Sequence, residues 1–344
     1  MKIYYCGLNA STLFFNDTGV IVILDKITRV PFPETINMEI GWNYILLLQN
    51  EDLFISGILD TKQEESPKKL TIPDESSGRI KFALAGKENV TILTTKNNLW
   101  QYNLYEKIWK KVNKFISICE DTDEEYIVKI DGERSVVALT NFGRVFNIPV
   151  VVEMENRIKF IDVACGFDHT ILLAENGDIY SMGLGTRGQL GHGDLEDCDN
   201  PKIIEALAGI KVSQISAAGW HSAVITAEGD LYTWGWNTFG ELGLLNSEKQ
   251  VIPLPTVVDF ENEEKIIFET NVKRVQCGNN FTICLLADGT FWGCGSNKFG
   301  QLGISIEKLT ESKKFIQLDV NEYLDTKFIK DFKCKEWGFC LICE

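Results

Sequence analysis

Short apolar runs recur along the chain, and each is apolar on both faces instead of alternating with polar residues. They include Tyr44-Ile45-Leu46-Leu47-Leu48, Val90-Thr91-Ile92-Leu93, Val136-Val137-Ala138-Leu139, Thr170-Ile171-Leu172-Leu173, Ala223-Val224-Ile225 and Phe281-Thr282-Ile283-Cys284-Leu285. A strand reads this way when its sheet is covered on both sides. Tight-turn signals follow, such as Asn176-Gly177, Gly229-Asp230 and Asp288-Gly289, which supply the positive φ of two-residue hairpins. A second, shorter apolar run comes next. It is closed by a glycine-rich turn in Gly188-Gln189-Leu190-Gly191, Gly240-Glu241-Leu242-Gly243 and Gly300-Gln301-Leu302-Gly303. The unit is therefore strand, tight turn, strand, sharp reversal.

Three copies of this unit are clear, starting at Gly166, Gly219 and Gly278, within residues 164–303. Three degenerate copies occupy 41–150 and lack the Gly-Gln-Leu-Gly turn. A seventh is split. The chain ends on Cys334-Lys335-Glu336-Trp337-Gly338-Phe339-Cys340-Leu341-Ile342-Cys343-Glu344, a first strand without its partner. It begins on Lys2-Ile3-Tyr4-Tyr5-Cys6-Gly7-Leu8-Asn9, which matches the second strand Asp230-Leu231-Tyr232-Thr233-Trp234-Gly235-Trp236-Asn237. The pattern predicts an all-β chain, one domain over 1–344, folded as a seven-bladed β-propeller. Residues 1–9 pair with 334–344 to close the last blade. Repeats explain how one ring absorbs 344 residues, and closure removes exposed sheet edges.

Composition narrows the function by exclusion. Hydrophobic residues make up 44% and charged residues 24%, as in an ordinary globular chain. A net charge of −15 argues against broad contact with a nucleic-acid backbone, which needs clustered Lys and Arg, and against an anionic membrane surface. The N-terminal residues lack a signal-peptide pattern, and the apolar runs are too short to span a bilayer. Ten cysteines in such a chain are expected to be reduced thiols of the cytosol or nucleus.

Candidate chemistry is sparse. His169 and His221 occupy equivalent positions beside Thr170 and Ser222. Without an orienting acid they are expected to be structural histidines and not bases. His192 sits in a glycine turn and is expected to be exposed. Cys340 and Cys343, with Cys334 nearby, have CxxC spacing, but residues three apart on a strand face opposite ways and a zinc site needs four converging ligands. Cys165, Cys277 and Cys334 recur in a slot that Ala218 fills in another copy, which reads as a small buried position. Gly183-Leu184-Gly185-Thr186-Arg187-Gly188 lacks the following helix of a phosphate cradle. The basic stretch Lys107–Lys114 reads as a solvated outer strand, and Glu120–Glu125 as an acidic loop. No catalytic set, cofactor or metal is expected.

The string Gly219…His221-Ser222…Gly229-Asp230-Leu231-Tyr232…Trp234-Gly235-Trp236-Asn237…Gly240-Glu241-Leu242-Gly243 resembles the regulator of chromosome condensation repeat family. The likeness is strong from Gly166 to Gly303 and pattern-level elsewhere. Between Gly183 and Leu244 the chain is similar to one small member of that family. That resemblance implies a non-enzymatic scaffold of the nucleus and chromosome, with the cytoplasm as a second location. It also implies a JmjC-type oxygenase as protein partner, indirect contact with chromatin, and a role in chromosome segregation or histone methylation control. The founding member's activity supplies the alternative, a guanine-nucleotide exchange factor for a Ran-type GTPase.

For partner binding the residues are Trp236, Arg187, Phe239 and Trp42, in or beside predicted turns, since Trp and Arg are enriched in interface hot spots. Inter-blade packing is the competing role for each tryptophan. Arg157 precedes the fourth copy, where the relative carries an arginine-bearing segment, and is a candidate contact or modified position.

Overall fold

The structure, a computed structural model, describes residues 1–9, 11, 13–16, 19–32, 35–57, 67–112, 125–154, 158–245, 247–325 and 328–344. Seven four-stranded antiparallel sheets follow one another around an axis. Blade one comprises Thr35–Ile40, Tyr44–Gln49, Asp52–Gly57 and Lys68–Leu70. Blade two comprises Ile80–Ala85, Asn89–Thr94, Leu99–Asn103 and Trp109–Val112. Blade three comprises Ile127–Asp131, Val137–Thr140, Val145–Asn147 and Val150–Val151. Blade four comprises Phe160–Cys165, His169–Ala174, Ile179–Gly183 and Cys198–Ile203. Blade five comprises Val212–Ala218, His221–Thr226, Leu231–Trp236 and Val251–Val257. Blade six comprises Val272–Gly278, Phe281–Leu286, Phe291–Ser296 and Glu311–Leu318.

Blade seven is built from both ends of the chain, in the spatial order Ile329–Lys335, Gly338–Cys343, Lys2–Leu8, Ile23–Arg29. Its central pairing runs from Lys2 opposite Cys343 to Gly7 opposite Gly338. At Gly7 the φ is +127°, and a Cβ there would collide with the Trp337 carbonyl, so only glycine permits this approach. The segment 334–344 proves to hold more than one strand. It contains the end of the innermost strand, a turn at Glu336-Trp337, and the strand that pairs with the N-terminus.

The same holds throughout: the apolar repeat marks only the second and third strands of each four. Strands buried on both faces pack in seven apolar clusters, one at each blade junction. Trp234, for example, is fully buried between blades four and five. Cys340 faces the cluster shared with blade one, and Cys343 the cluster shared with blade six, as strand geometry requires of residues three apart.

Candidate functional site: the turn end of the propeller

The innermost strands of all seven blades line an axial cavity of about 430 Å³. Its wall is laced by ion pairs between successive blades: Lys129 with Asp162 at 2.5 Å, Arg274 with Asp331, and Lys333 with Glu39. Backbone donors join them, Cys165 N–H to Asp131 at 3.0 Å and Cys277 N–H to Ser216 at 2.9 Å. These polar contacts explain why the innermost strands carry charge and escape an apolar search.

One end of the axis is formed by the turns that join the first and second strands. The strand registers align one turn position in every blade: Trp42, Lys87, Glu133, Phe167, Gly219, Asn279 and Glu336. Main-chain bonds link neighbours in this ring, Lys87 N–H to the Glu133 carbonyl at 3.3 Å, Phe167 N–H to Gly219 at 2.8 Å and Asn279 N–H to Glu336 at 2.9 Å. Gly219 has φ +52°, and a Cβ there would strike the Asn279 carbonyl.

The aromatic members close the mouth. Trp42 meets Phe167 across the axis at 6.1 Å between ring centroids, and Trp337 edge-on at 5.4 Å. Phe167 continues to Trp220 at 5.1 Å, and Phe299 packs on Trp337 at 5.6 Å. Cations lie over this ridge: Lys87 at 5.4 Å from the Trp42 ring, Arg134 at 5.6 Å from Phe167, and Arg187 at 3.9 Å from Trp220. Arg187 also stands 5.5 Å from the Trp236 ring.

Below the ridge, burial and the neighbouring Glu336 carboxylate push Glu133 up to about 8. Burial also raises Glu336, which accepts from Asn279 Nδ2 at 2.7 Å.

The three glycine-rich turns share one local device. The residue before the first glycine donates its N–H to the side chain after it: Arg187 to Gln189 at 2.8 Å, Phe239 to Glu241 at 2.7 Å, Phe299 to Gln301 at 2.8 Å. Arg187 then lies over the Trp220 ring and Phe299 packs edge-on against Trp337, each in the next blade. In blade six Asn280 holds the register position of Trp220 and Trp337, and the Phe239 ring is covered by Lys298 at 4.4 Å. Glu241 takes the place of a glutamine while only 1% exposed, and burial raises it to about 7.

Trp42, Arg187, Trp236 and Phe239 thus all lie at this end, each half-buried, and Arg187 and Trp236 are brought together. Arg157, and residues 120–124 of the acidic run, lie outside the described residues. Glu125, the last of that run, pairs with Arg144 at 3.2 Å. Within Lys107–Lys114, residues Trp109–Val112 form the outermost strand of blade two.

The histidines bridge blades. His169 Nε2 lies 2.9 Å from Ser222 Oγ, which itself donates to the Gln189 carbonyl at 3.1 Å. His221 Nε2 lies 2.8 Å from Thr282 Oγ1, which donates to the Glu241 carbonyl at 2.6 Å. Each hydroxyl spends its proton on the turn, so each imidazole donates from Nε2 and is neutral. Burial lowers His169 to about 4 and His221 to about 3. Two details depart from expectation. His192 is half-buried and bonded to Ser181 Oγ at 2.8 Å, because its turn folds back on blade four. The slot of Cys165, Cys277 and Cys334 falls on Ala217, not Ala218, since Ala217 pairs with Ser222 as Cys165 does with Thr170.

Sequence reasoning missed Phe167, Trp220 and Trp337, which build the ridge. A signal existed in the aromatic residues that follow the first-strand end of several copies, but their meeting across the axis is a property of the closed ring.

A family model described as the regulator of chromosome condensation (RCC1) repeat matches residues 176–225 and 228–285, and a second model of the repeat matches 160–189, 212–241 and 272–301. The chain is 34% identical over 196 residues to the E3 ubiquitin-protein ligase HERC2 of Homo sapiens, covering 51% of this chain and 4% of that protein. It is 31% identical over 253 residues to the ultraviolet-B receptor UVR8 of Arabidopsis thaliana, covering 72% and 48%. It is 27% identical over 223 residues to human RCC1 domain-containing protein 1, covering 56% and 57%. The chain therefore spans between 4% and 57% of these relatives' own lengths. Among solved structures, human WBSCR16 superposes with a TM-score of 0.80 at 16% identity over the whole of both chains. Prp20p from Saccharomyces cerevisiae superposes at 0.78 and 17%, over 99% of this chain and 90% of that one. Both likenesses are of fold.

Proposed function

This chain carries regulator of chromosome condensation repeats, and from that premise we propose that it is a non-enzymatic interaction scaffold that receives a protein partner on the turn end of its propeller. The observation that supports this reading most is the aromatic ridge with its cations, where Arg187, Trp220 and Trp236 meet at the surface. Tryptophan and arginine in half-buried clusters are the side chains that dominate binding energy at protein interfaces. Turns are free to serve this purpose because the strands are committed to inter-blade packing. The chain acts in the nucleus at chromatin, with a JmjC-type oxygenase as its partner and chromosome segregation or histone methylation control as its setting. The likeness to RCC1 domain-containing protein 1 motivates this finer assignment. Affinity capture from nuclear extract with the wild-type chain and with Trp236→Ala tests it. An oxygenase retained by the first and lost by the second supports the assignment; retention by neither removes it.

Guanine-nucleotide exchange on a Ran-type GTPase is the second reading. Prp20p, which shares the fold, is described with binding to Gsp1p and histones. Nucleotide release from Ran, accelerated by the purified chain, would favour exchange over the scaffold.

A further inference from the structure

The partner chemistry at the turn end can be read from charge, given that the scaffold reading places the partner there. In a chain of net charge −15, the ridge Trp42–Phe167–Trp220 carries Lys87, Arg134 and Arg187 over its rings. Arg134 is spent on Asp168 at 2.7 Å. Neither Lys87 nor Arg187 forms an ion pair at contact distance among the described residues, although Lys87 lies in the field of Glu133 and Glu336, and the Arg187 Nε is buried without a hydrogen-bond acceptor. The carboxyl groups that feel Lys87, Glu133 and Glu336, are both raised by burial, and Glu336 is engaged by Asn279 Nδ2 at 2.7 Å.

A cation parked on an aromatic face keeps its charge, while the ring limits the rotamers it must give up on binding. We infer that the ridge is the docking site for an acidic segment of a protein partner, one that sets carboxylates against Lys87 and Arg187 and apolar side chains against Trp220 and Trp236. Charge complementarity of this kind fixes orientation and speeds encounter. The excess of acid over the rest of the chain repels such a segment elsewhere, which confines it to this end.

Aromatic rings flanked by cations also suit single-stranded nucleic acid, so the test includes that outcome. Fluorescence anisotropy of the full chain would be measured with a labelled dodecapeptide of repeating Glu-Glu-Leu, its Lys-Lys-Leu counterpart, and a dT12 oligonucleotide. The acidic peptide should bind in preference to both. The double variant Lys87→Gln, Arg187→Gln should weaken it ~10-fold or more while remaining fully folded by circular dichroism at the assay temperature, and raising salt from ~50 to ~300 mM should weaken the wild type alone by a similar factor. Equal binding of the basic peptide, preference for dT12, or an affinity unchanged by the double variant overturns the inference. Should the acidic peptide fail while Trp236→Ala still abolishes capture from extract, the scaffold reading stands and only this one falls.

Discussion

Trp42 of blade one and Phe167 of blade four occupy the same turn position and touch across the propeller axis, their ring centroids 6.1 Å apart. Residues at one position in a repeat normally never meet. Here ring closure points the position inward, and the two largest side chains in it bridge the gap. Trp42 also packs on Trp337 and lies under Lys87, so it ties together blades one, two, four and seven. Trp42→Ala should cost ~2–3 kcal/mol in urea unfolding, from lost burial and ring contacts. Trp42→Phe should recover most of that. An unchanged midpoint for Trp42→Ala would mean the mouth contacts add nothing to blade cohesion.

Closure predicts a specific permutant. Opposite Ile342 stands Ile3, as Leu231 stands opposite Ile225. The blade-five loop between those two is residues 226–230, with Gly229 at φ +98°. In blade seven, Cys343, Glu344, Met1 and Lys2 fill four of those five places, and Met1 falls on the glycine. Joining Glu344 through one Asn to a Met1→Gly chain, opened between the exposed Glu263 and Glu264, should fold with a circular dichroism spectrum matching the parent. Deleting residues 1–8 should instead leave Gly338–Cys343 as a bare edge and expose two apolar clusters. Dye binding and a broadened melt would register that, and a deletion as stable as the parent would refute closure.

Glu241 should make stability fall as pH rises. Its folded pKa of about 7 exceeds the unfolded value of about 4.3, so the folded state holds the extra proton between those two values. The favourable contribution is complete below the lower value and gone above the upper, an effect of ~3 kcal/mol. Glu241→Gln restores the side chain found at Gln189 and Gln301, keeps an acceptor for Phe239 N–H, and cannot titrate. The variant should gain on the wild type steadily from pH 5 to pH 8 in denaturant midpoints. A constant difference across that range would show that Glu241 titrates normally.

The two histidines act in the opposite sense. Their folded pKa values of about 4 and about 3 lie below the unfolded value of about 6.5. Their contribution is therefore present above that value and lost as pH falls through the folded ones. His169→Gln can still donate to Ser222 from its amide, and should lose less stability than the wild type between pH 7 and pH 4, by ~2–3 kcal/mol. Equal acid sensitivity in the two proteins would place the charge elsewhere.

The copies were legible because their cues are local. Asn-Gly, Asp-Gly and Gly-Gln-Leu-Gly encode turns whatever surrounds them, and a run such as Ile171-Leu172-Leu173, buried on both faces, is apolar throughout. The innermost strands hid because the axis rewards ion pairs: Ile127–Asp131 and Ile329–Lys335 mix Lys129, Asp131, Asp331 and Lys333 among apolar residues. The outermost strands, such as Cys198–Ile203, are half-exposed and carry no repeat pattern. At the site, Arg187 and Trp236 were legible as turn residues. Phe167 and Trp337 were not, since Trp337 belongs to a blade assembled from both ends and Phe167 acquires its role only opposite Trp42.

Arg187 and Trp236 give the most discriminating functional prediction. Arg187 lies over the Trp220 ring, with Trp236 beyond it, and both predicted residues are half-buried. Neither is among the apolar clusters at the blade junctions. Trp234, two residues before Trp236, is the contrast: it is fully buried and donates its indole N–H to the Gln189 carbonyl at 2.9 Å. Trp234→Ala should therefore cost ~3–5 kcal/mol of stability and reduce partner capture only as the folded fraction falls. Trp236→Ala and Arg187→Ala should each weaken capture by ~2 kcal/mol or more, as hot-spot truncations do, with a loss of only ~1 kcal/mol in stability. Combined, they should weaken binding by less than the sum, because each relies on the other and on Trp220 for its position. Strict additivity would mean that the two act as separate contacts. A Trp236→Ala chain that unfolds as readily as Trp234→Ala would return Trp236 to the core and leave the ridge around Trp220 as the remaining surface to test.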